Sequence, residues 1–377
     1  MKIAVATTTR ADWGLLSPLC SELQSRGADL YILAAGMHFD PAMGLTYREI
    51  EADGFPIAAR IETPGNPAEE GAACLTRYYA ELQRLSPDCI VCLGDRFEML
   101  SIAMAAALAH VPIVHIAGGA ISEGAFDDAF RHAITKLASL HLVETPEYRQ
   151  RVISMGEDPD RVIHTGAIGV YNILNVKPIS LQELEASIDF KFKGTTLLCT
   201  MHAATMDPAP PTDQLRALLD ALAQRPDLRV LFTHPNNDVD PTPLIGMLND
   251  FASQHPDIYR VIPSLGRVRY ITALHHAAAV IGNSSGGIVE VPSMGIPTLD
   301  IGIRQRGRTA APSVIHVPDT TADILHGLDQ ILSPEHLALS ATRDNPYYLP
   351  DTPWVMADAI LSTDFSSILP KTFYTPV

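Results

Sequence analysis

The sequence predicts an α/β protein of two domains, each built on a parallel sheet, and three observations lead there. At 377 residues the chain exceeds the roughly 250–300 residues that one hydrophobic core supports. Short apolar, β-branched runs alternate with longer segments of helical character. The alternation pauses once, around IGVYNILNVKPISLQELEASIDFKFKG, which lacks a strong strand signal and contains Pro178 and Gly194.

In chain order the strand-like runs are KIAVATT, ADLYILAAG, CIVCLG, PIVHIAG and LHLVET, followed after the pause by TTLLCTM, LRVLFTH, YRVIPS, AAVIGNS, PTLDIG and SVIHV. Strand, helix and strand in succession make parallel sheets with helical crossovers, and open sheets of this kind take ligands beyond the carboxyl ends of their strands. The pause puts the connection near Asn175, with a first domain over residues 1–175 and a second over 176–345. Beyond Tyr347 the segment PWVMADAILSTDF predicts a final helix within about 350–377 that packs back on the first domain. No fixed short repeat is present, and DPAPPTD is too brief to be a low-complexity linker.

A 47% hydrophobic and 19% charged composition is that of a globular protein. The formal charge of -16 argues against a nucleic-acid partner, so any anionic ligand must be met by local cations. MKIAVATTTRADWGLL runs directly into a strand without the long apolar stretch of a signal peptide. The longest apolar segment is broken by His110, Pro112 and His115, so no membrane span is expected. A cytoplasmic protein is the resulting expectation. Cys20, Cys74, Cys89, Cys92 and Cys199 are odd in number and scattered. Cys89 and Cys92 form a C-x-x-C match inside an apolar strand, where they point to opposite faces and read as buried reduced thiols rather than redox or zinc ligands. No metal cluster is evident.

The most informative stretch is AAVIGNSSGGIVEVPSMGIPTLDIGIRQRGR. A strand ends at Ile281, a turn of small residues follows from Gly282 to Gly287, and a helix begins. Such a turn offers backbone N–H groups and the Ser284 and Ser285 hydroxyls to an anion such as a diphosphate, with Gly286 allowing close approach. A serine-capped strand-to-helix turn without a ligand fits the same residues. Glu290, further along the helix, suits the vicinal hydroxyls of a ribose. Arg304, Arg306 and Arg308 follow the next strand, either neutralising phosphate or forming a solvated face.

These residues resemble the signature of the UDP-N-acetylglucosamine 2-epimerase family, with its G-N-S-S-x-G turn, following Glu and I-G-x-R-Q-x-G-R element. AAGMHFDPAMGLTYREIEADGF, CLGDRFEMLSIAMAAALAHVPIVHIAGG, GAFDDAFRHAITKLASLHLVET and FTHPNNDVDPT are similar to the hydrolysing branch, in the same order and over most of the chain. The resemblance implies a glycosyltransferase-B-like pair of Rossmann-like domains facing a cleft, with UDP held chiefly by the second domain and the sugar facing the first. It implies binding roles for Arg10, His38, Arg96 and Asn236. Asp95, Asp127 and His202 become the acid–base candidates.

The implied reaction converts UDP-GlcNAc or UDP-N,N′-diacetylbacillosamine to UDP and the free 2-epimeric sugar by elimination to a glycal and hydration, feeding nonulosonic acid synthesis. A base and a leaving group suffice, so no cofactor is expected. A non-hydrolysing epimerase and a UDP-sugar-binding protein without turnover are the alternatives. The resemblance also implies a homodimer or homotetramer. One departure stands out in HIAGGAISEGAFDD: the family often carries acidic residues where this chain has Ala117 and Ala120, and Glu123, three residues further on, is the candidate replacement.

Overall fold

The computed structural model describes residues 1–41, 44–63, 65–236 and 240–375. They fall into two compact units, the first of residues 1–120, 127–171 and 349–377, the second of residues 121–126 and 172–348. The first runs β1 (Lys2–Thr7), α1 (Arg10–Ser25), β2 (Asp29–Ala35), α2 (Tyr47–Ala52), β3 (Ile57–Ile61), α3 (Pro67–Leu85), β4 (Cys89–Leu93) and α4 (Phe97–Leu108). It continues through β5 (Ile113–Ile116), α5 (Asp127–Leu137), β6 (Leu140–Val143), α6 (Pro146–Ser154), β7 (Val162–His164) and α7 (Ile168–Asn175). The second unit holds α8 (Leu181–Ile188), β8 (Thr195–Thr200), α9 (Pro211–Ala223), β9 (Leu228–Thr233), α10 (Thr242–Gln254), β10 (Tyr259–Ile262) and α11 (Gly266–Leu274). Then come β11 (Ala279–Gly282), α12 (Ser285–Val289), β12 (Thr298–Ile301), β13 (Val314–Val317), α13 (Thr321–Ile331) and α14 (Pro334–Ser340), before α15 (Thr352–Ser362) returns to the first unit.

Among the described residues the first unit carries a seven-stranded sheet in the order β3-β2-β1-β4-β5-β6-β7, and the second a six-stranded sheet in the order β10-β9-β8-β11-β12-β13. Every pairing is parallel. The carboxyl ends of all strands in a sheet therefore share one edge. Strand order reverses between β1 and β4 in one unit and between β8 and β11 in the other, which opens a crevice at each switch point.

All eleven strand-like runs of the sequence are strands. The two without an anticipated run, β3 and β7, are the edges of the first sheet. An edge strand is half covered, and the alternating burial of β3 and the three-residue length of β7 leave little continuous apolar signal. Central strands such as β4, buried at every position, are uniformly apolar because helices cover both faces. Cys89 lies in the core on one side of β4 and Cys92 in the core on the other, and all five cysteines are free and buried.

Local capping sets the helix starts. Thr9 and Asp12 form a capping box at α1, Asn66 and Glu69 at α3, and Ser180 and Glu183 at α8, each of which contributes about 1 kcal/mol. The C-terminal helix α15 buries Met356, Ala357 and Ile360 in the same core as Leu16, Leu19 and Leu23 of α1, with the Arg26 guanidinium 4.7 Å from the Trp354 ring centroid.

Residues 121–126, expected within the first domain, group with the second unit instead. Their backbone explains it: Glu123 N donates to Arg306 O at 3.1 Å and Met206 N donates to Gly124 O at 3.1 Å.

At the end of β11, Gly282 adopts a φ of +120°, and a Cβ placed there would lie 2.0 Å from the Thr200 carbonyl oxygen. Strand β8 and the β11 turn can approach this closely only because the residue has no side chain. Gly282→Ala is expected to cost about 3 kcal/mol of unfolding free energy, measured by urea denaturation. A midpoint indistinguishable from the wild type would contradict this reading.

Candidate functional site

In the first unit the candidate residues gather at the β1/β4 switch point. After β1, the Thr8 backbone N, Thr8 hydroxyl and Thr9 backbone N converge on Asp12 Oδ2 at 3.0, 2.8 and 3.0 Å. This fixes the turn that presents Arg10, whose guanidinium Nε lies 2.9 Å from Glu49 Oε1. Both side chains are about half exposed, and an ion pair of that kind is worth at most about 1 kcal/mol. An anionic ligand can replace it.

His38, a candidate for binding the sugar, is wholly buried. Its Nε2 is 2.8 Å from the Thr7 hydroxyl and its Nδ1 2.9 Å from that of Thr46. Burial pushes its pKa down to about 4, against a smaller upward pull from Asp12. Both nitrogens of the neutral ring are thus engaged within the fold, which ties the end of β1 to Thr46.

After β4, Asp95 pairs with Arg131 of α5. The Arg131 guanidinium, 3% exposed, also donates to Asp128 Oδ1 at 2.9 Å and to the Ala120 carbonyl at 3.0 Å. A buried guanidinium needs this full set of acceptors, and removing one partner of such a pair costs about 3–5 kcal/mol. Where the family often has acidic groups, the Ala120 carbonyl and the two aspartates meet this charge. Arg96 pairs with the buried Glu98 at 3.0 Å. Asp127 opens α5, half-buried, one residue before Asp128. Behind the cluster, His115 Nε2 donates to the Gly94 carbonyl at 2.9 Å, and burial lowers its pKa to about 4.

The second unit repeats the arrangement at the β8/β11 switch point. Asn283, 1% exposed, accepts from His202 N at 2.7 Å and donates to His202 O at 2.9 Å through its side-chain amide. Its own carbonyl accepts from Arg304 Nη1 at 3.1 Å and Gln305 Nε2 at 2.9 Å. One residue thus joins three loops. The Asn236 backbone N donates to His202 Nδ1 at 2.9 Å, which leaves the ring proton on Nε2. Burial, then the Arg304 charge, lower the His202 pKa to about 3. His202, an acid–base candidate, thus carries its proton on Nε2 as a neutral ring.

Ser284 caps α12 from extended backbone without a side-chain cap bond, and Glu290 sits at its C-terminal end, where the chain turns into a 3₁₀ segment. A Cβ on Gly286 would lie 3.4 Å from Glu290 Oε2 and 3.7 Å from the Tyr270 hydroxyl, so these groups crowd over the Gly286 backbone. Burial, then Glu290, push the Tyr270 pKa upward.

Glu123 belongs to this unit. Its carboxylate is 2.5 Å from Arg306 Nε, with both side chains exposed, while Ser122 accepts from Arg308 at 2.9 Å. A Cβ on Gly124 would meet the Arg304 backbone at 2.6 Å, so only glycine lets the loop lie flat on the arginine segment. The Glu123 carboxylate thus lies against the arginine segment.

Four groups that the sequence reading did not single out for a role therefore emerge: Asn283, Arg131, Tyr270 and His115. Asn283 lay inside the quoted signature, but its serines drew the phosphate argument. Arg131 stood four residues after the anticipated Asp127.

Two parallel α/β units, each with polar and charged groups at its switch point, define a glycosyltransferase-B-like protein of Rossmann-type halves. The chain belongs to the UDP-N-acetylglucosamine 2-epimerase family, whose model matches residues 21–361. It is 33% identical over 321 residues to a Campylobacter jejuni protein named GDP/UDP-N,N′-diacetylbacillosamine 2-epimerase (hydrolyzing), covering 83% of each chain. To the Legionella pneumophila UDP-N,N′-diacetylbacillosamine 2-epimerase (hydrolyzing) it is 32% identical over 339 residues, covering 88% of this chain and 89% of the relative. The crystal structure of UDP-GlcNAc 2-epimerase from Neisseria meningitidis bound to UDP-GlcNAc has the same fold, with a TM-score of 0.84 at 18% identity over 96% of this chain and 100% of that one.

Arg304→Met removes a cation that lowers the His202 pKa but leaves the burial that lowers it more. The pKa is expected to rise from about 3 while staying below the ordinary 6.5, with the proton on Nε2 throughout. Histidine ¹⁵N NMR titration measures both; an Nδ1–H tautomer would contradict the geometry.

Proposed function

We propose that this protein is a hydrolysing 2-epimerase that converts UDP-N,N′-diacetylbacillosamine to UDP and the free 2-epimeric sugar. The observation that carries the proposal is the Asp95–Arg131–Asp128 cluster at the β1/β4 switch point. In it Asp95, a candidate base, is held in fixed orientation by a buried cation. Hydrolysing relatives named for this substrate, matched over most of the chain, support the choice of sugar.

Inversion at C2 requires a base for the C2 proton and a stabilised leaving group at C1. On this reading Asp95 or Asp127 takes the C2 proton while the C1–O bond breaks and its electron pair leaves with UDP, giving a glycal. Proton return to C2 from the opposite face and addition of water to C1 complete the hydration. Arg304, the Ser284 and Ser285 hydroxyls, the Gly286 backbone and the His202 Nε2–H stabilise the departing diphosphate. Asn236 orients His202, and Glu290 receives the ribose hydroxyls. Arg10 and Arg96 are released from Glu49 and Glu98 to meet substrate, Glu123 holds the arginine segment, and His38 supports the β1 turn.

Among the described residues no helix is long and apolar enough to cross a membrane. A nucleotide-sugar substrate and five free buried thiols fit a cytoplasmic enzyme supplying nonulosonic acid synthesis, assembled as a homodimer or homotetramer.

In deuterated buffer, purified protein given UDP-N,N′-diacetylbacillosamine is expected to release UDP and a 2-epimeric sugar carrying deuterium at C2, followed by NMR. Asp95→Asn should lower kcat by about 100-fold or more. A C2-epimeric product still attached to UDP would replace the hydrolysing assignment with a non-hydrolysing one, and binding without exchange or release would rule out turnover.

A further inference from the structure

Beyond α15 the chain does not trail into solvent. Phe365 and Ile368 enter the core of the first unit, and the Ile368 carbonyl accepts from Arg161 at 3.2 Å. Tyr374 N donates to the Gly156 carbonyl at 2.9 Å. Between these anchors lies Lys371, whose side chain is only 19% exposed.

The Lys371 ammonium meets four oxygens: Glu157 Oε2 at 2.6 Å, Ala138 O at 2.7 Å, Lys136 O at 2.8 Å and Thr135 O at 3.4 Å. Three of these are carbonyls at the C-terminal end of α5, where the helix leaves acceptors unpaired and the dipole favours a cation. The basic residue of the last turn, Lys136, is committed elsewhere, to Glu157 at 2.5 Å and the Met155 carbonyl at 2.8 Å. Glu157, 1% exposed, also accepts from His141 Nε2 at 2.9 Å. Although burial pushes the Glu157 carboxyl up, bonds from His141, Lys136 and Lys371 bring it down to about 2. Lys136 and His141 from neighbouring elements and Lys371 from the far end of the chain therefore close on one buried carboxylate.

From there a continuous path leads to Asp95. The Thr135 hydroxyl lies 3.0 Å from the Arg131 carbonyl and 3.1 Å from His115 Nδ1. His115 Nε2 donates to the Gly94 carbonyl at 2.9 Å, directly before Asp95. Arg131 holds Asp95 and Asp128 from the other side.

We infer that Lys371 is a positioning residue for the reaction: the C-terminal tail clamps the far end of α5 so that Arg131 and His115 hold Asp95 and Asp128 in register. The inference rests on the acid–base role proposed above for Asp95. A cation fixed on the last carbonyls restrains a helix that must present charged groups at its first turn, and a neutral or mobile tail would leave Glu157 and those carbonyls short of partners.

The test compares Lys371→Met with Lys371→Arg in the full-length protein. In the Met variant amides of residues 127–137 should exchange with deuterium at least about tenfold faster, while those of β8–β11 keep their protection. The kcat for UDP release should fall about tenfold with KM within about twofold, since substrate binding is untouched. The Arg variant, keeping charge and donors, should recover most of both. If the Met variant does not fold, Lys371→Gln is read in its place. Unchanged exchange across α5, or protection lost evenly from both units, would overturn the clamp, as would a fall in kcat that Arg does not rescue. Failure of the wild-type protein to release UDP would instead remove the epimerase reading, leaving the exchange result to stand alone.

Discussion

The side-chain amide of Asn283 exchanges two hydrogen bonds with the backbone of His202 while the carbonyl of the same residue accepts from Arg304 and Gln305. The amide reaches His202 because β8 and β11 are adjacent and parallel, which brings the loops after both strands to the same edge. Gly282 makes the approach close enough. A neutral histidine and an arginine are thereby held at one strand edge. Such preorganisation stabilises a departing diphosphate, because the groups need no reorganisation as charge develops on it.

The first unit meets the same problem with the opposite chemistry. At its switch point the hub is a buried cation, Arg131, and the groups it holds are carboxylates and a backbone carbonyl. A neutral amide can remain buried once its hydrogen bonds are made, whereas a buried guanidinium destabilises the fold unless every acceptor is kept. That difference explains why α5 is braced at both ends, by Asp95 and Asp128 at one and by Lys371 with Glu157 at the other. The proposed division of labour matches this contrast: donors and a cation for the departing UDP, carboxylates for the proton.

Much of this was legible in the sequence because the central strands of a parallel sheet are apolar on both faces, and runs such as CIVCLG have no other stable setting. The edge strands β3 and β7 were not, since their partly covered faces interrupt the pattern. Ser284 and Ser285 could be placed at a strand-to-helix turn from residue type and turn chemistry. The protonation state of His202 could not, because it depends on an N–H donated by Asn236, which follows a different strand. His38 gave no sign of its burial, since the two hydroxyls that enclose it come from Thr7 and Thr46. Glu123 lies before α5 in sequence yet pairs with Arg306, a contact of a long-range kind that no local pattern encodes.

Cleavage of the bond between C1 and oxygen, with UDP as an intact leaving group, is what the proposed division of labour requires. Turnover of the nucleotide sugar in water enriched in ¹⁸O, followed by mass spectrometry of the released UDP, measures it directly. Unlabelled UDP is the expected result, because the bridging oxygen departs with the phosphate. Incorporation of ¹⁸O into UDP would mean attack of water at phosphorus and would contradict an elimination.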